Sequence, residues 1–108
     1  MRPGRDCPLD YRLPPTAFDG PAQFGCKTLY VVGGLYGNTY ALDALEMLLA
    51  DEPEARAVFN GDLHWFDRDP EIFRGLEDRV APHVLLRGNV ETELVRVEDS
   101  GTGCGCAY

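Results

Sequence analysis

Three short apolar runs, each closed by glycine, constrain this chain more than any other feature: "TLYVVGG" (28–34), "AVFNGD" (57–62) and "VLLRGN" (84–89). Their residues are β-branched, aromatic or aliphatic without alternation, the pattern of a strand covered on both faces. Between the first two runs, Ala41, Leu42, Leu45, Leu48 and Leu49 recur at helical spacing and form one apolar stripe. Asn38 or Thr39 can cap that helix. It ends near Asp51, because the residue before Pro53 is pushed out of the helical region. Between the second and third runs, "DPEIFRGLEDR" reads as another helix, with Asp69 as N-cap and Pro70 at the first helical position. Ile72, Phe73 and Leu76 are expected to face inward.

The fold class is therefore α/β. The order is β-α-β-α-β with a mostly parallel sheet, its strands at Thr28–Val32, Ala57–Asn60 and Pro82–Leu86. A further strand is expected through "ETELVRVE" (91–98). With 108 residues the chain makes one domain. Residues 1–26 form a proline-rich arm, 27–97 the α/β body and 98–108 a glycine- and cysteine-rich tail. The arm holds five of the eight prolines, which excludes a central strand or a helix there. Leu9, Tyr11, Leu13, Phe18 and Phe24 are expected to pin it to the body.

Charge narrows the function. The net charge is −8, and Lys27 is the sole lysine, so binding to nucleic acid through a basic face is not expected. No apolar run reaches membrane-spanning length, and the N-terminus lacks the apolar core of a secretion signal, which points to the cytoplasm. In that setting Cys7, Cys26, Cys104 and Cys106 read as ordinary thiols.

Parallel strands deliver their carboxyl ends to one edge of a sheet, where α/β proteins bind ligands. The loops "GGLYGN" (33–38), "NGD" (60–62) and "RGNVE" (87–91) share that edge. Each has glycine where the backbone turns or approaches another group closely. Asp62 and Asn89 follow glycine directly and offer a carboxylate and an amide oxygen, donors suited to a hard or borderline divalent cation. Gly34, Tyr36, Gly37, Asn38 and Arg87 complete the candidate ligand-binding set. Gly33, Gly34 and Gly37, with a helix N-terminus behind them, can also hold an anion by backbone N–H groups.

The order strand–GGLYGN–helix, strand–NGD, strand–RGNVE resembles the calcineurin-like metallophosphoesterases, over roughly residues 27–94. Their pattern is Asp-x-His-Gly-Asn, then Gly-Asp, then Gly-Asn-His-Glu or -Asp. The resemblance implies the first half of a two-sheet sandwich. It implies a divalent cofactor (Mn, Fe, Zn or Mg), a metal-bridging role for Asp62 and a metal-ligand role for Asn89. It implies a phosphoester small molecule as substrate. The chain departs from the pattern at three positions: Gly34 and Tyr36 stand where the family has its first Asp and His, and Val90 replaces the third-motif histidine. Glu91 is retained. Two-metal hydrolysis needs ions held about 3.5–4 Å apart by several ligands each, and Asp62 with Asn89 makes an incomplete site. No catalytic residue is assigned. A phenol with a pKa near 10 is a poor substitute for imidazole.

His64 lies on the Asp62 loop and reads first as a packing or surface histidine; His83 lies at the opposite end of its strand. Trp65 and Phe66 either line a pocket or plug the arm against the body, and plugging is expected. Tyr36 is expected to fill the space of a lost metal, and Arg87 to pair with a nearby acid such as Glu91. One sheet alone leaves apolar surface uncovered, and patches of that kind mark interfaces, so a homo-oligomer is expected. The functional expectation is a metallophosphoesterase-like protein with impaired or absent catalysis; the alternative is a non-enzymatic ligand-binding or protein-interaction module.

Overall fold

The structure is a computed structural model and describes residues 12–95. Strands β1 (Thr28–Val32), β2 (Ala55–Phe59) and β3 (Val84–Leu85) form a parallel sheet in that spatial order. Helix α1 (Thr39–Asp51) connects the first pair and α2 (Pro70–Val80) the second. The β1–β2 register runs from Thr28↔Ala55 to Val32↔Phe59, and β2 meets β3 at Val58↔Val84 and Phe59↔Leu85. The expected parallel β-α-β-α-β order is present.

Strand order that advances in one direction through right-handed connections puts both helices on one face of the sheet. The core agrees. Leu42 and Leu45 of α1, Leu76 and Val80 of α2, and Ala57 and Phe59 of β2 form a single buried cluster, with Tyr30 and Val32 packed against it. The other face is open: Leu29 is 46% and Val31 61% exposed. That corrects the expectation of strands covered on both sides. The apolar run in β1 reflects one buried face and one exposed apolar face.

The helices begin where their caps dictate. Asn38 accepts the Ala41 N–H at 3.1 Å, and Asp69 accepts the Glu71 N–H at 2.8 Å. Pro70 opens α2, and Glu71 and Arg79 sit in its first and last turns, the signs that suit the helix dipole. Arg79 reaches across to α1, donating to Glu46 at 2.9 and 2.8 Å and to Asp43 at 2.5 Å. Tyr30 of β1 donates to Glu52, the residue that terminates α1. Among the described residues no helix is long and apolar enough to cross a membrane.

Several boundaries differ from expectation. β2 starts two residues earlier than Ala57: a turn bond from the Ala55 N–H to the Glu52 carbonyl at 2.9 Å delivers the chain to the sheet, and the Lys27 N–H extends the pairing to the Glu54 carbonyl at 3.1 Å. β3 keeps only two residues of Pro82–Leu86. In place of the beginning of the strand expected over 91–98 there is a third helix, α3 (Asn89–Leu94). Its start is fixed locally. The Glu91 carboxylate accepts the Gly88 N–H at 2.8 Å, and the Thr92 hydroxyl donates to the Gly88 carbonyl at 3.0 Å. An acid in the first turn adds to this.

The arm is a correction too. Residues 1–11, with Leu9 and Tyr11, lie outside the described residues, as do 96–108 and so the expected tail. Leu13 and Phe18 are exposed, and Pro15–Phe18 forms a 3-10 turn. Phe24 alone of the described arm residues carries out the expected role, with the Arg56 guanidinium 4.4 Å above its ring. Ile72, expected inward, is exposed on α2, whereas Leu76 is fully buried.

Candidate functional site

The three carboxyl-end loops meet, and Asp62 is the residue that joins them. Its carbonyl accepts the N–H groups of Leu35 at 2.9 Å and Tyr36 at 3.0 Å, from the loop after β1. Its carboxylate Oδ1 accepts the Val90 N–H at 3.2 Å, from the start of α3. Its own N–H donates to Glu91 at 2.8 Å. Backbone N–H, backbone carbonyl and side chain of one residue thus bind both neighbouring loops. Asp62 takes a left-handed conformation to do so, with φ of 56°, an unusual state that Asp tolerates better than most residues.

Glu91 completes the junction. One oxygen accepts the N–H groups of Asp62 and Gly88, both at 2.8 Å, and the other accepts Leu63 N–H at 2.7 Å. Burial raises its pKa, but these amide bonds outweigh that and leave it below the ordinary glutamate value. Glycines make the approach possible. A Cβ on Gly61, whose φ is 86°, would lie 2.6 Å from the Gly88 Cα, and one on Gly88 would lie 2.9 Å from the Asp62 nitrogen.

The first loop bends over the second. Gly37, with φ of 79°, donates its N–H to the Leu63 carbonyl at 2.7 Å. The Tyr36 ring lies where a side chain on residue 34 would be: a Cβ built on Gly34 comes within 2.6 Å of the Tyr36 Cζ. Tyr36 has φ of 52° and tilts against Phe66, their ring centroids 6.2 Å apart. Asn38 is engaged as the cap of α1. Asn89 is the first residue of α3, directly before Val90, whose amide meets Asp62. Arg87 is exposed on the rim, and the expected pairing with Glu91 is replaced by the three amides that this carboxylate holds.

His64 is a packing histidine, the first of its two expected readings. It is 3% exposed, and both ring nitrogens face carboxylates: Nδ1 bonds to Asp67, and Nε2 to Glu77 of α2 at 2.5 Å. Phe73 stacks on its ring at 3.8 Å. The imidazole therefore clamps the 62–68 loop onto α2. The signal available was "HWFD", an i, i+3 His–Asp pair, although Glu77 comes from a separate helix. His83 lies, as expected, at the opposite end of the sheet, against Phe59 and beside a hollow of about 620 Å³.

These partners decide what the edge can do. Both Glu91 oxygens hold backbone amides, both His64 nitrogens hold carboxylates, and one Asp62 oxygen holds Val90. Among the described residues no group of three or more His, Cys, Asp or Glu side chains is placed to hold a metal ion. The donor set does not fit a two-metal hydrolytic centre, which needs several ligands for each ion. The edge is a hydrogen-bonded junction with a glycine-lined rim.

No protein-family model matches the chain, and neither a curated protein nor a solved structure matches it.

Proposed function

We propose that this chain is a metallophosphoesterase-like protein in which phosphoester hydrolysis is impaired or absent, the motif positions serving to lock the sheet edge. The observation that carries this reading is the role of Asp62 and Glu91. Their carboxylates accept N–H groups from the second and third loops, so both side chains brace the sheet edge. Tyr36 over Gly34 supports it further, because the first-motif carboxylate has no room while that ring is in place. The order of the three motifs supports the lineage. A divalent cation, Mn, Fe, Zn or Mg, would find at most Asp62 and Asn89 as side-chain donors, too few for the two-ion chemistry. The setting that goes with this reading is cytoplasmic, with the exposed Cys26 a free thiol.

The test is metal content by elemental analysis together with hydrolysis of bis-p-nitrophenyl phosphate in added Mn. The expected result is less than one metal per chain and no turnover above the buffer rate. Two metals per chain, with turnover abolished by Asp62→Ala, would overturn the proposal.

A second reading, a protein-interaction module that pairs with another copy of itself, is favoured by the open face of β1. Leu29 and Val31 there are exposed apolar residues at alternate positions. Sedimentation velocity tests it. A dimer that Val31→Lys converts to monomer is the expected result, and a monomer at all concentrations counts against it.

A further inference from the structure

A second cavity, of about 460 Å³, opens beside the His64 clamp, between the 64–68 loop, α2 and α3. Its size falls in the range of small-molecule sites, about 300–1,000 Å³. Trp65, Phe66, Arg68, Phe73, Val90 and Leu94 line it. Phe66 is 73% and Trp65 40% exposed. Neighbouring exposed rings make a contiguous apolar patch, the kind of surface that marks a ligand groove.

The loop that presents these rings is fixed from beneath. Asp67 holds His64 through one oxygen and the Trp65 N–H through the other at 3.0 Å, and the Arg68 N–H bonds to the Phe66 carbonyl at 3.1 Å. The imidazole continues to Glu77 and is stacked on Phe73. The backbone that carries the two rings is therefore held in one arrangement, which reduces the ordering cost of binding.

Charge selects the ligand. The acids at this wall are already partnered: Asp67 by His64 and an amide, Glu77 by His64. Arg68 makes no ion pair among the described residues and is the cation on the rim. A guanidinium suits a carboxylate or phosphate by a bidentate contact and also stacks on ring faces. We propose that this cavity binds a planar aromatic anion, its ring against Trp65 and Phe66 and its charge at Arg68. The site stands whether or not Asp62 holds a cation.

Trp65 is the sole tryptophan, so its fluorescence reports on the cavity alone. The probe is 4-nitrobenzoate, an aromatic anion that quenches indole emission, with neutral 4-nitrobenzyl alcohol as the matched ring. Saturable quenching by 4-nitrobenzoate is expected, with half-saturation about tenfold lower than for the alcohol, the size of one charge-assisted contact. Arg68→Gln and Phe66→Ala, both at exposed positions, each raise that half-saturation by about fivefold to tenfold while the far-ultraviolet circular dichroism stays unchanged. Quenching that rises linearly without saturation, equal half-saturation for acid and alcohol, or an unchanged value in either variant overturns the proposal.

Discussion

The Glu91 carboxylate accepts the Asp62 N–H at 2.8 Å, a bond between residues 29 positions apart in sequence. It is one of three amide bonds on that side chain, and all three belong to the second and third carboxyl-end loops. A carboxylate suits this position because it is acceptor-only on both oxygens. Glutamine has nearly the same shape but turns one acceptor into a donor, which would face an N–H. Glu91→Gln is therefore expected to lower the unfolding free energy by about 2 kcal/mol, the scale of hydrogen bonds to a charged acceptor. Urea denaturation measures it. A loss below about 0.5 kcal/mol, the range of an ordinary surface change, would show that the junction does not depend on this residue.

Acid should weaken this junction and the neighbouring His64 clamp. Glu91 and Asp67 both have pKa values below those of free carboxyls. For Asp67 burial acts the other way, and the bonds from His64, the Trp65 N–H and its own N–H outweigh it. A lowered folded-state pKa means the unfolded chain binds protons first as pH falls. The stabilisation is thus complete above the unfolded values near 4.5 and 3.8 and is lost as pH drops through the folded ones. The contribution of these two carboxylates to the urea midpoint should be lost as pH falls below about 4.5. Glu91→Gln should make that loss smaller. An equal loss in variant and parent would remove Glu91 from the explanation.

Two glycines should respond in opposite senses to alanine. Gly61 has φ of 86°, and a Cβ there meets the backbone of Gly88, which cannot swing away. Gly61→Ala is expected to cost about 2–5 kcal/mol, from left-handed strain and overpacking together. Gly75 lies within α2 with nothing within 4 Å of the added methyl. Gly75→Ala is expected to stabilise by about 0.5–1 kcal/mol, the helix-propensity difference. Thermal melts of the two variants should move in opposite directions. A fall in both would show that α2 has a constraint at residue 75 beyond open space.

The parts of the fold legible in sequence were those with strong local causes. Asn38 and Asp69 are caps with their own hydrogen bonds, Pro70 fits only a first turn, and the glycines at 61 and 88 end strands where backbones cross. The junction of three loops followed from parallel strand order alone. The parts that differ from the sequence expectation depend on partners distant in sequence. "ETELV" has the apolar content of a strand, but Glu91 finds amides at 62, 63 and 88 that make it a helix start. His64 packs as expected, but its partner Glu77 is not legible because the two meet only once α2 has packed. The open face of β1 was hidden for the same reason: an apolar run does not tell on which sides its neighbours lie. Leu13 and Phe18 have the composition of an anchored arm, yet composition supplies no pocket for them.

The pair Gly34 and Tyr36 gives the sharpest test of the proposed loss of a metal-holding arrangement in the first loop. The Tyr36 ring lies where a residue-34 side chain would project, with Cζ 2.6 Å from a built Cβ. Gly34→Asp alone should therefore force the ring aside and cost about 1–3 kcal/mol, the range for overpacking. Adding Tyr36→His removes the obstruction, so the double variant should recover most of that loss, and the two effects should be non-additive by about 1 kcal/mol or more. On the proposed reading, the double variant also brings a carboxylate and an imidazole to the loop whose backbone bonds to Asp62, donors that Mn accepts. Calorimetric titration with Mn should show heat of binding in the double variant and none in the parent or in Gly34→Asp. If Gly34→Asp is as stable as the parent, Tyr36 is not what closes the loop. If the double variant is stable yet binds no Mn, residues 34 and 36 do not face Asp62 in the way the resemblance implies.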